Sequence, residues 1–199
     1  MFIDEPAPSP ERQALYKDDI KDLGYVMNLT RAWAWIPAIN DGLFGLLDRA
    51  AQIGELSYRD RGILITALAS RMGDSYCSLA WGTRLAEATD PETAASVIAG
   101  QPSSSMTVRD VALASWARKL AATPNSTTQA DVDDLRKAGM SHEQIAAATA
   151  YVALRVAFST FNDAIGAAPD QETAEAAPPE VVSAITFGRP TDPSPSTGR

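Results

Sequence analysis

Thiols and imidazoles are almost missing from this chain. Its 199 residues hold one cysteine, Cys77, and one histidine, His142. A single sulfhydryl excludes an intrachain disulfide, so neither a disulfide framework nor a two-cysteine redox cycle can be built within one chain. The same scarcity excludes the His and Cys clusters that hold zinc. Positive charge is also short: 17 basic against 25 acidic side chains leave a net charge of −8. That argues against a nucleic acid, which needs clustered Lys and Arg, and it repels an anionic membrane surface. No stretch is expected to approach the ~20 apolar residues of a membrane span. The start, MFIDEPAPSPER, is acidic and proline-rich, unlike a secretory signal. The expectation is a cytoplasmic protein with no nucleic-acid or membrane partner. No G-x-G-x-x-G, phosphate loop or calcium loop is present, so no cofactor and no metal are expected. The acidic run at Asp131, Asp133 and Asp134 suits the first turn of a helix and needs no cation.

What is present is helical punctuation throughout. Residues 1–10 hold three prolines and read as an extended N-terminal arm. A first helix is expected from about Glu11 to Tyr25, and Pro37 suits the first turn of one reaching about Ala51. Ser57 with Asp60 resembles a capping box, and Gly73 suits the left-handed residue after the helix that box opens. Asp74 or Ser75 caps the next helix, to about Ala88. Asp90-Pro91-Glu92 opens a short one ending at Gly100. After the loop QPSSSM, read as a hinge, Thr107 with Asp110 opens a helix before Pro124. Another runs from Gln129 to Gly139, and Ser141 with Gln144 caps a long helix to about Ile165. No run alternates with period two, so no sheet is expected. The fold class is therefore all-α. Residues 169–199 hold several prolines and read either as a free tail or as one that docks VVSAITF on a neighbouring subunit.

Cys77 stands near the start of the helix in RMGDSYCSLAWGTRLAEA. Positions three or four apart share a helix face, so Asp74, Cys77, Trp81 and either Arg84 or Leu85 form one stripe. The helix N-terminus favours a thiolate by roughly 0.3–1 kcal/mol. A carboxylate at ~6 Å, with an effective dielectric of ~20, opposes it by about 2–3 kcal/mol, which makes Asp74 the stronger influence in a partly buried site. Cys77 is then either a structural buried thiol or a reactive one needing a cation such as Arg71 or Arg84. His142 follows a helix cap and reads as a solvated first-turn residue. Trp33, Trp35, Trp81 and Trp116 read as core or subunit packing, with Trp81 alternatively an apolar wall of a ligand pocket. Tyr76 reads as packing, or as a hydrogen-bond donor to a ligand.

From about Tyr16 to Asp170 the chain resembles the alkylhydroperoxidase D-like and carboxymuconolactone decarboxylase superfamily, in its peroxidase-related branch. The resemblance rests on the order and spacing of DLGYVMNLTRAWAWIPAINDGLFGLL, LSYRDRGILITALASRMGDSYCSLAWGTRLAE, VRDVALASWARKLAATP, DVDDLRKAGMSHEQIAAATAYVAL and FNDAIGAA. It implies an AhpD-like bundle of about eight helices over residues 11–168, in halves of about 11–100 and 101–168, and a homo-oligomer from dimer to hexamer. Active members carry C-x-x-C-x-x-x-H at this helix start and a Glu roughly twelve residues, about three turns, upstream. The second cysteine of that motif falls on Cys77. The first falls on Asp74, the His on Trp81 and the Glu on Gly62. Ser75, one residue along, cannot form a disulfide.

Three functions follow from the resemblance and its gaps. One is a thiol-peroxidase-type oxidoreductase limited to one cysteine, with Cys77 attacking peroxide and Asp74 or a water accepting the proton. Another is a redox-inactive member that binds a small apolar molecule, or acts on it without redox chemistry, in a cavity walled by Trp81, opened by Gly62 and flanked by Ser75 and Tyr76. The third is an oligomeric accessory protein with Cys77 in its core.

Overall fold

The computed structural model describes residues 1–192. Among them the regular structure is helical: α1 (Pro10–Leu23), α2 (Asn28–Trp33), α3 (Pro37–Ile53), α4 (Tyr58–Met72), α5 (Ser75–Ala88), α6 (Pro91–Ala99), α7 (Val108–Ala122), α8 (Gln129–Lys137), α9 (His142–Ile165), α10 (Gln171–Ala176) and α11 (Pro179–Ala184). Eight of these are nine residues or longer, in line with an all-α bundle of about eight helices.

The local signals act where the sequence placed them. Ser57 Oγ accepts the Asp60 N–H while the Asp60 carboxylate accepts the Ser57 N–H, each at 3.0 Å, closing the capping box of α4. Gly73 ends α4 at φ 80°, a conformation in which a side chain would be strained. Asp74 then caps α5, its Oδ1 accepting the Cys77 N–H at 2.8 Å. The α4 residues from Gly62 to Ala69 are all buried. A helix buried on every side belongs at the centre of a bundle, and α4 packs on α5, α6, α7 and α9.

The starts of α4 and α7 are joined by a reciprocal pair of ion pairs. Ser57-Tyr58-Arg59-Asp60 opens α4, and Thr107-Val108-Arg109-Asp110 opens α7 with the same polar pattern. Arg59 donates to both carboxylate oxygens of Asp110, at 3.0 and 2.6 Å, and Arg109 to both of Asp60, at 2.8 and 3.2 Å. Each aspartate thus caps its own helix and clamps the other helix's arginine. Burial would raise the Asp110 carboxyl, but the hydrogen bonds from Arg59 and Thr107 outweigh it and hold the group below the ordinary carboxylate range.

Two expectations need correction. First, α9, with 24 residues and a mean hydropathy of 1.2 over its best stretch, is long and apolar enough to cross a membrane by length and composition; 44% of that stretch is buried in the bundle. Second, over residues 169–192 the tail is neither free nor extended away from its own chain. Val181 on α11 is fully buried, and α11 packs on α6 and α5. Gly82 makes this close approach possible, because a Cβ there would sit 2.9 Å from Val181 Cγ1. Beyond α11, Ser75 Oγ exchanges hydrogen bonds with the Arg189 backbone at 2.8 and 2.9 Å. Residues 193–199 of the expected tail lie outside the described residues. At the other end, the arm over residues 1–9 lies against the end of α9, with the Phe2 N–H donating to the Ile165 carbonyl at 2.8 Å.

Candidate functional site

Five helices bring the site together: α5 carries Cys77 and Trp81, α9 supplies the opposite wall, α2 with the residue before it closes one side, and α3 and α4 add Phe44 and Tyr58. Along α9, Tyr151, Arg155, Ser159 and Asn162 recur at spacings of four, four and three, so they share one face. That face turns inward, and all four residues are buried. Asn162 links the two helices: its Oδ1 accepts the Trp33 indole N–H at 2.8 Å, and its Nδ2 lies 3.9 Å from Cys77 Sγ. Trp33 stacks on Phe158 at 5.1 Å, so this tryptophan is core, as expected.

Cys77 is buried. Burial pushes its thiol well above the ordinary range, the Asp74 carboxylate pushes it further, and the Arg155 guanidinium opposes both without prevailing. The cation that the sequence reading sought among Arg71 and Arg84 is thus supplied mainly from α9. At neutral pH the sulfur is a protonated thiol, and the nucleophile of thiol chemistry is the thiolate.

A cavity of about 340 Å³ opens beside this sulfur. Met27, Leu29, Phe44 and Phe158 form its apolar walls, Tyr58, Tyr76 and Trp81 its other aromatic ones, and Arg84 and Arg155 its charged ones. Trp81 stands where the family motif has its histidine. Its indole faces two guanidinium groups instead, Arg155 at 5.0 Å and Arg84 at 5.2 Å from the ring centroid. An indole gives and takes no proton near neutral pH, so Trp81 relays no proton and its ring stands in a cation–π stack instead.

The other candidate residues fall in different places. Tyr76 lines the cavity, but its hydroxyl donates to the buried Asp170 carboxylate and is not free to bind a ligand. Asp74 is fully buried; its Oδ1 is used by the Cys77 N–H, and its Oδ2 has no hydrogen-bond partner. Ser75 faces away, into a second recess of about 330 Å³ under the tail. Gly62 opens no cavity: a Cβ there would meet Leu85 Cδ1 at 3.2 Å, so its bareness serves the α4–α5 crossing. His142 is exposed at the start of α9. Among the described residues no group of three or more His, Cys, Asp or Glu is placed to hold a metal.

The sequence reading missed Arg155. A signal for it existed: from Ile145 to Asn162 the chain reads IAAATAYVALRVAFSTFN, in which Arg155 is the only charged residue. Its position on the Tyr151–Ser159–Asn162 face could have flagged an inward-facing cation.

The sequence matches no protein-family model and no curated protein. Solved structures are similar over most of their length. An uncharacterized peroxidase-related protein from Ralstonia eutropha JMP134, described as an alkylhydroperoxidase AhpD core, superposes with a TM-score of 0.74 at 23% identity, over 86% of this chain and 93% of that one. The debrominase Bmp8 superposes at 0.71 with 13% identity, over 91% of this chain and 96% of Bmp8. A cysteine-to-alanine variant of Bmp8, in complex with 2,3,4-tribromopyrrole, superposes at 0.69 with 15% identity, over 86% and 94%. With its helix order and absence of strands among the described residues, this chain therefore has the all-α AhpD-like fold.

Proposed function

We propose that this chain binds a small aromatic molecule in the cavity beside Cys77 and runs no thiol–disulfide cycle. The observation that carries this reading is the wall of the cavity itself. A buried, protonated Cys77 and an indole at Trp81 occupy the positions where the family motif needs a thiolate and a proton relay. About 340 Å³ between aromatic side chains suits one or two fused rings, at the lower end of ordinary small-molecule pockets. The complex of the Bmp8 variant with 2,3,4-tribromopyrrole supports it, since a structure of the same fold accommodates a small flat ring. Peroxide chemistry is disfavoured by the single thiol, by its raised pKa and by Asp74, whose carboxylate opposes thiolate formation.

Indole and benzamide, both neutral, are suitable probes. Ligand-observed NMR is expected to show saturation transfer to both, and Ala80→Phe is expected to abolish it. Ala80 lines the cavity and is half-buried, so the larger ring takes up cavity space from the edge. Unchanged binding in a folded Ala80→Phe protein would place the ligand elsewhere and sink the reading.

A further inference from the structure

The cavity holds two arginines and no acid. Arg155 is 4% exposed, and its Nε has no hydrogen-bond acceptor. Among the described residues no carboxylate lies within 4.0 Å of Arg155 or of Arg84. Burial loosens the hold of Arg155 on its proton and repulsion from Arg84 adds to it, while Cys77, Tyr151 and Asp74 act in the opposite direction without making a hydrogen bond to it. The Arg155 guanidinium lies 5.0 and 5.2 Å from the Trp81 and Phe158 rings. These rings offset part of its lost hydration, yet a ring face accepts no N–H fork. Buried charges ordinarily come with a partner. Here the missing partner borders open space.

We infer that the ligand is an aromatic monoanion whose carboxylate pairs with Arg155, assisted by Arg84, while its ring lies among Phe44, Tyr58 and Trp81. This rests on the reading of the cavity as an aromatic site and adds the charge of its occupant. A guanidinium presents parallel N–H donors that match the two oxygens of a carboxylate. The outer surroundings limit the class further. A groove of about 670 Å³ shares Met27, Tyr58, Ala80 and Arg84 with the cavity and carries Asp22, Glu87 and Glu172. Those acids, on a chain of net charge −8, repel polyanions and leave a small singly charged acid as the anion that passes with least opposition.

Benzoate and benzamide have nearly the same shape and differ in charge. Titration calorimetry on the full chain at pH 7 is expected to show benzoate binding at least tenfold more tightly than benzamide. That ratio is expected to collapse toward one in Arg155→Met and to be partly retained in Arg155→Lys, with circular dichroism checking the fold of each. Equal binding of the two probes to the unaltered protein would overturn the anion inference and leave the aromatic-site reading standing. Failure of both probes would overturn both. A preference for benzoate that survives in folded Arg155→Met would also overturn the assignment to Arg155.

Discussion

Arg155 behaves unlike a residue kept for stability. Taking a guanidinium out of water without a carboxylate costs several kcal/mol. Stacking on Trp81 and Phe158 returns about 0.5–2 kcal/mol per ring. Methionine would fill a similar volume without the desolvation. Ligand-free Arg155→Met is therefore expected to melt at or above the temperature of the unaltered protein; a fall of more than a few degrees would show that Arg155 holds the bundle together. A second residue carries a pH signature. Burial, then repulsion from Asp74, raises the Asp163 carboxyl to about 6, against the pull of Arg189. An acid whose folded pKa lies above its unfolded value of ~3.9 binds more protons when folded, so its contribution to stability falls as pH rises between those values. Asp163→Asn should then stabilise the protein at pH 7, and the gain should vanish by about pH 4. Melting curves across that range check this, and a gain independent of pH would contradict it. Arg155 left a signal in the sequence, a lone charge in an apolar helix, but Asp163 left none. Asp163 is one acid among 25 until the structure sets it beside Asp74.

Among the helices, legibility followed the range of the interactions. The boxes at Ser57, Thr107 and Ser141 were readable because a cap acts over three residues and carries its own polar pattern. The six-residue α2, α10 and α11 were not. Helices that short are held by what they pack against, such as Val181 against α5 and α6. The link between α4 and α7 was half-readable: both boxes were visible, but not that each aspartate also takes the other helix's arginine. Asp110→Ala removes a cap and leaves Arg59 without its carboxylate. Because Arg59 is one-third exposed and can turn to water, the loss is expected to be about 2–4 kcal/mol rather than the full cost of a stranded buried charge. Urea unfolding checks the size, and a loss under about 0.5 kcal/mol would show that the clamp contributes no more than a surface ion pair. With its pKa held below the ordinary range, Asp110 stabilises the fold at neutral pH, and this contribution is lost as pH falls through its folded value.

At the scale of the whole molecule, the family-like order of helices was legible because it is spread over many short signals, each pointing to the same bundle. That no second thiol is present was legible too, because the sequence holds one cysteine. What the fold does at these positions was not: the Leu85 packing at Gly62, the tail over Ser75 and Arg155 over Trp81 all come from distant segments meeting. The bundle also leaves Ile39, Leu46 and Ile53 of α3 half or more exposed at seven-residue intervals. The expected self-association is checked by light scattering, where a mass of twice 21.2 kDa or more agrees with it and 21.2 kDa contradicts it. The central claim is that the one thiol in this molecule is not a redox centre. Its most direct test is the intact mass of the folded protein after exposure to a small excess of hydrogen peroxide at pH 7. The account predicts an unchanged mass, with Cys77 modified only after unfolding. Rapid gain of one oxygen atom, absent from Cys77→Ser, would contradict it.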